Sequence, residues 1–389
     1  MSLDVAIVST YPPTQCGIAT FARSLGTSMA QSGARVDIVA LGERSRESSE
    51  SVVVHHHRGS ADLPVTSHVL NGRDVVILQH EFGIYGGPDG REVLDILHHV
   101  RVPVITVLHT VLRTPSSNQR RVLQGILNAT EEVVVMSEAA HQKLARNYAV
   151  RPGSLSVIPH GAPDLRPRGS AGPAAPRKRI LTWGLISEGK GIEWGIEAIG
   201  HLKTQGIDVD YVIAGRTHPK VLAREGDVYR RSLEERARSC GVLEHVSFVD
   251  DYLDSAALGD LIRSADAFLL PYDNNDQVTS GVLVEAMIAG GPVIATRFPH
   301  ARELLSGDVG IVVPQRDARA MADAIARVVM DELAATRMRR RTLAIGESFL
   351  WSSVAAQYVQ LAEVLTRRRS SNRSALSMHH APTPAGSIA

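Results

Sequence analysis

The chain repeats one unit: a short apolar run, a polar loop with glycine or proline, then a stretch with helical spacing. In one half the runs lie at residues 5–8, 35–39, 74–78, 103–108, 132–136 and 155–158. In the other they lie at 180–183, 208–214, 246–249, 267–270, 292–295 and 310–313. Most of these runs lack polar alternation, so they read as strands covered on both faces, joined by crossover helices. Residues 18–29, 117–129, 192–202, 318–330 and 332–345 read as helices. Residues 164–179, rich in Pro, Gly, Ala and Arg, carry no apolar period and read as a linker. The expected fold class is α/β: two doubly wound Rossmann-like domains facing a cleft. They span 1–163 and 180–346. A C-terminal amphipathic helix over 347–366 follows, and its packing back on the first domain is left open. Residues 367–389 read as a disordered tail.

Composition narrows the function. Of 389 residues, 44% are hydrophobic and 21% charged, enough to build two cores. A net charge of +1 gives no electrostatic case for a nucleic-acid partner. Cys16 and Cys240 lie far apart and suggest neither a disulfide framework nor a zinc site. No basic region precedes the first apolar run, and no apolar stretch nears the ~20 residues of a membrane span. A cytoplasmic location is expected. The plain reading of Arg337, Arg339, Arg340 and Arg341 is a solvated helix face, with peripheral membrane contact left open.

In open parallel sheets, ligands bind outside the carboxyl ends of the strands. The loops after the runs are therefore where function is sought. The first ends at Gly17 and is not a dinucleotide fingerprint. Gln79-His80-Glu81 follows the run at 74–78, which makes His80 and Glu81 candidates for a sugar or acceptor site, or a loop held by its own hydrogen bonds. His109 closes the run at 103–108, where it touches substrate or is simply structural. His55, His56 and His57 alternate faces on a strand and do not converge on one ion. In the second half, the glycine loop over 184–191 ends near Lys190, a point charge suited to a diphosphate. Arg216 is a second such candidate.

The richest stretch is 273–296. Thr279 and Ser280 are N-cap residues, Gly281 opens a helix, and Val282 and Glu285 follow at helical spacing. A helix start attracts phosphate, and Glu285, one turn in, meets a hydroxylated group such as ribose. By pattern alone the stretch is equally an ordinary capped helix. Asp208 and Asp210 have metal-ligand spacing but open a strand at its amino end, away from the ligand edge.

Four segments together resemble one family. They are Val157-Ile-Pro-His-Gly161, the 184–191 loop, the Gln277-to-Glu285 spacing, and Gly290-Gly-Pro-Val-Ile-Ala-Thr296. They are similar to the "IPNG", "GRLxxxKG", Glu-x7-Glu and "G.PVIAT" motifs of the retaining glycosyltransferases of family four, which have the GT-B fold. The resemblance spans about 4–366. It implies transfer of a hexose from a GDP- or UDP-linked sugar to a hydroxyl of a glycan, lipid or small molecule. It implies retention of configuration, no metal and no cofactor. By resemblance Glu285 holds the ribose, Ser280 and Gly281 occupy the backbone phosphate cradle, Lys190 neutralises the diphosphate, and Gly184, Thr279 and Val282 are further donor-binding candidates. His109 lies near the donor sugar, and Gly17 approaches the donor from the first domain. Three positions depart: His160 for Asn, Gln277 for the first glutamate, and Leu185 for arginine. Gln277 keeps hydrogen bonds to sugar hydroxyls and gives up the charge. Arg216 is expected to replace the missing cation. The rival readings are a nucleotide-sugar epimerase and a non-catalytic nucleotide-sugar-binding protein.

Overall fold

The computed structural model describes residues 2–43, 52–167, 176–217, 219–250, 253–274 and 278–378. Two parallel sheets carry the described residues. The first contains β1 (Asp4–Ser9), β2 (Arg35–Leu41), β3 (Val53–His57), β4 (Val75–His80), β5 (Val104–Leu108), β6 (Glu132–Val135) and β7 (Leu155–Val157). Its order is β3-β2-β1-β4-β5-β6-β7. Its helices are α1 (Gly17–Gln31), α2 (Leu63–Asn71), α3 (Val93–His99), α4 (Ser117–Ala129) and α5 (Glu138–Asn147).

The second sheet contains β8 (Lys178–Trp183), β9 (Val209–Ala214), β10 (Val246–Val249), β11 (Ala267–Leu270), β12 (Val293–Thr296) and β13 (Ile311–Val313). Its order is β10-β9-β8-β11-β12-β13. Its helices are α6 (Ile192–Thr204), α7 (Pro219–Glu225), α8 (Val228–Ser239), α9 (Ser255–Arg263), α10 (Gly281–Ala289), α11 (Pro299–Leu304), α12 (Ala318–Met330) and α13 (Glu332–Gly346). In each sheet the strand order reverses once, at β1/β4 and at β8/β11. A crevice forms at such switch points, and the loops and strand ends carrying Gly17, Gln79, His109, Lys190, Arg216 and Ser280 lie at or beside one of them.

The strands are apolar because helices cover both faces. Along β1, Val5 and Ile7 join the core under α1, while Ala6 and Val8 join the core on the opposite face. Burial of Val5, Ile7 and Val8 contributes about 1.5–3 kcal/mol of transfer free energy for each side chain.

A last helix, α14 (Trp351–Met378), returns to the first domain. Its Val354, Ala355, Tyr358, Ala362 and Leu365 share one core with Phe21, Leu25 and Met29 of α1. The tail expected from residue 367 starts inside this helix, so the reading of disorder is corrected for 367–378. Glycine and proline are absent from that stretch. Arg367 pairs with Glu363 at 3.0 Å, one turn back. The hydroxyls of Thr366 and Ser371 also donate one turn back, to Ala362 O at 3.0 Å and Arg367 O at 3.1 Å. Residues 379–389 lie outside the described residues.

Candidate active site

At the β8/β11 crevice the second domain presents charge. Ser280 caps α10, its Oγ accepting from Leu283 N at 3.2 Å. The Ser280 N–H donates to His300 Nδ1 at 3.0 Å. That N–H is therefore spent inside the protein, which corrects the expectation that Ser280 lends its backbone to phosphate. The N–H groups of Gly281 and Val282 find no protein partner among the described residues. They sit at the positive end of the helix dipole. Thr279 is buried just before them.

Glu285 lies one turn into α10 and is half-buried. Trp183 Nε1 donates to its Oε2 at 2.8 Å, which holds the carboxylate and leaves Oε1 to a ligand. Burial raises the Glu285 pKa above the usual carboxylate value, and the Trp183 bond works against that rise. Val282 packs toward Gly184, where an added Cβ would sit 3.5 Å from Val282 Cγ2. Gly184 has φ +113°, a backbone that favours glycine. Lys190 holds its ammonium over the Tyr272 ring, 4.3 Å from the centroid. Tyr272 is buried and stacks on Phe298. Asp273, beside it, is paired with Arg316 at 3.0 Å, so its charge is compensated.

The first domain's edge is neutral. His109 Nε2 lies 2.7 Å from Gln79 Oε1, so Nε2 carries the hydrogen and Nδ1 is left as an acceptor. Phe21 meets His109 edge-on at 4.9 Å. His160 Nδ1 donates to Gly161 O at 2.6 Å, and its ring packs against Phe21 and Trp351. Burial, joined by the neighbouring histidines, lowers His109 to about 3 and His300 to about 3. Burial also lowers His160 to about 4, against the pull of the Gly161 carbonyl. All three imidazoles are uncharged at neutral pH.

The two edges meet at Gly281. A Cβ built there would lie 2.8 Å from His160 Cε1. Glycine is required for the ring to reach the helix start. Gly17, in contrast, opens α1 with nothing within 4 Å of an added Cβ.

Comparison with known proteins agrees with this geometry. Residues 16–164 match the family model described as Glycosyltransferase Family 4, and 177–331 the one described as Glycosyl transferases group 1. Over 279 residues the chain is 30% identical to the phosphatidyl-myo-inositol mannosyltransferase of Mycobacterium leprae, covering 68% of this chain and 67% of that one. The chain belongs to the family 4 glycosyltransferases. A D-inositol 3-phosphate glycosyltransferase of Xylanimonas cellulosilytica is 26% identical over 295 residues, 69% of this chain and 68% of that one. Sucrose-phosphate synthase of Thermosynechococcus elongatus shares the fold, with TM-score 0.75 and 20% identity over 94% of this chain and 100% of that one. The architecture of this glycosyltransferase is GT-B.

Not every expected residue reaches the transferase cleft. His80 is fully buried, its ring 5.1 Å from Phe82 and 6.3 Å from Tyr85, with no partner for either nitrogen among the described residues. This corrects its acceptor-side reading. Successive residues of β4 face opposite sides of the sheet, so Gln79 turns to His109 and His80 turns away. Glu81 folds onto its own loop, accepting from Gly83 N at 2.7 Å. Arg216 is exposed, and its carbonyl accepts from Ile186 N at 2.8 Å, beside Leu185. Gln277 lies outside the described residues. Asp208 and Asp210 pair with Arg177 at the amino end of β9.

Three residues enter that sequence reasoning left without a role: Gln79, Trp183 and His300. Gln79 follows the apolar run at 74–78, directly before His80. A polar residue ending an apolar strand was its only signal.

Proposed function

We propose that the enzyme moves a hexose from a nucleotide-diphosphate sugar to an acceptor hydroxyl, with retention and without metal or other cofactor. The observation that carries this reading is the start of α10. Two uncommitted N–H groups, a tethered Glu285 and Lys190 gather at one switch point. A diphosphate there meets the Gly281 and Val282 N–H groups and the Lys190 ammonium, with Arg216 beside Leu185 as the second cation. Negative charge grows on the departing diphosphate, and these groups are in place before it does. Glu285 takes the ribose hydroxyls. His109 Nδ1 accepts from a sugar hydroxyl, and the acceptor enters from the first-domain side onto the face the diphosphate leaves.

The relatives named for phosphatidyl-myo-inositol and D-inositol 3-phosphate make inositol-bearing acceptors the first to test. Among the described residues no helix is long and apolar enough to cross a membrane, so a lipid acceptor would be met from the bilayer surface. A thermal-shift screen of GDP- and UDP-sugars, with EDTA present, is the direct test. A donor at a hundred times its Kd stabilises the fold by about 2.7 kcal/mol. Transfer to inositol phosphates with the anomer read by NMR follows. Absence of stabilisation by every nucleotide sugar, or an inverted product, sinks the reading. Donor alone turned into an isomer would point to an epimerase.

A further inference from the structure

The donor loop is anchored in the other domain. Val278, two residues before the cap of α10, is 2% exposed. It belongs to the core of the first sheet, with Val111, Val135 and Ala140, rather than to either core of the second. Its carbonyl accepts from Ser137 Oγ at 2.7 Å. The same hydroxyl oxygen accepts from Ala140 N at 3.1 Å and so caps α5. One serine thus uses both capacities, one on each domain.

The next two N–H groups of α5 are also taken from across the cleft. Glu303, in α11, accepts from Glu138 N at 2.9 Å and from Ala139 N at 3.0 Å. A carboxylate at a helix start satisfies orphan donors and meets the positive end of the dipole. On the same short helix, His300 takes the Ser280 N–H at the start of α10. One end of α11 therefore touches the donor cradle while the other touches the first domain.

We propose that Ser137, Val278 and Glu303 are positioning residues, through which closure of the first domain sets the loop leading into α10. The assignment rests on the donor reading above. Separation of the domains exposes Val278 and strips three groups of their partners: the Ser137 hydroxyl and the Glu138 and Ala139 N–H groups. The seated loop carries Gly281 and Val282 at its far end, and Gln277 precedes Val278 in the chain. Donor affinity is then a property of both domains, although the phosphate-facing groups belong to one.

The test compares Glu303→Ala, Glu303→Gln and Ser137→Ala with Ser116→Ala. The last removes a cap of α4 that is held wholly within the first domain, by Gln119. Amide hydrogen exchange at Glu138 and Ala139 is read without substrate. UDP and GDP binding are read by calorimetry, and KM and kcat separately. Glu303→Ala is expected to speed exchange at both amides and to raise the diphosphate Kd and donor KM about five- to tenfold. Glu303→Gln keeps its acceptor oxygen and recovers part of the loss. Ser116→Ala leaves donor binding unchanged.

Faster exchange with unaltered Kd and KM overturns the proposal, because Glu303 is then only a helix cap. Unaltered exchange overturns it by removing the contact itself. If the unsubstituted enzyme binds neither UDP nor GDP, the donor reading fails first and carries the proposal with it.

Discussion

The two sheets share the same strand order around their switch points, yet their ligand edges are unlike. The β8/β11 edge offers Lys190, a carboxylate and two open N–H groups. The β1/β4 edge offers uncharged imidazoles walled by Phe21 and Trp351. Topology places a crevice in both, and chemistry divides the labour. In the proposed reaction, one edge handles the charge of a leaving group. In the same proposal the other orients neutral hydroxyls, a task for which a protonated histidine is the wrong partner because it has no lone pair to offer.

Removing charge from the charged edge should have the largest effect. Lys190→Ala is expected to lower kcat about 10²–10³-fold, the cost typical of losing one preorganised electrostatic group. Loss of less than about threefold would move the cation role elsewhere. Adding charge to the neutral edge is the converse experiment. Gln79→Glu places a carboxylate on His109 Nε2 and favours imidazolium. Its kcat/KM should fall about tenfold between pH 8 and pH 6, with no such limb from His109 in the parent enzyme. A flat profile in the variant would deny His109 its role as an acceptor.

Smaller effects refine each edge. Trp183→Phe frees the Glu285 carboxylate and should raise donor KM about five- to tenfold with little change in kcat. The last is read in stability rather than in turnover. His80, His109 and His300 are each lowered to about 3 from 6.5 by burial. The unfolded chain binds protons first as pH falls, so stability is whole above pH 6.5 and is lost between there and about 3. The slope is on the order of 1 kcal/mol per pH unit for each histidine. Calorimetric Tm from pH 7.5 to 5 should show this acid limb, and His80→Leu should flatten it without loss of activity.

The outline was legible because strands, caps and glycines are local. The cap at Ser280, the helix from Gly281 and the cluster of Lys190 and Glu285 follow from spacing and loop position. What stayed hidden depends on partners far along the chain. Gln79 and His109 are 30 residues apart, Trp183 and Glu285 102, and Glu303 reaches its α5 amides across more than 160. Strand parity decided between Gln79 and His80. A strand apolar on both faces carries no alternation to reveal which face looks to the cleft. The length of α14 escaped for another reason. Its serines and arginines resemble a solvated tail until they are seen bonding one turn back.

The return of α14 has a consequence for how the gene can be divided. The chain crosses between domains twice, and the crossings are stitched together: Ala162 N donates to Phe349 O at 2.8 Å, and Trp351 N to Ala162 O at 3.1 Å. Beyond them, α14 supplies part of the first domain's own core. A half cut at the linker would therefore leave α1 with a bare apolar face, while the other half carried a helix with nothing to rest on. The two Rossmann-like units look like modules, but they are not portable ones. A recombinant first domain needs the last helix of the protein spliced to it.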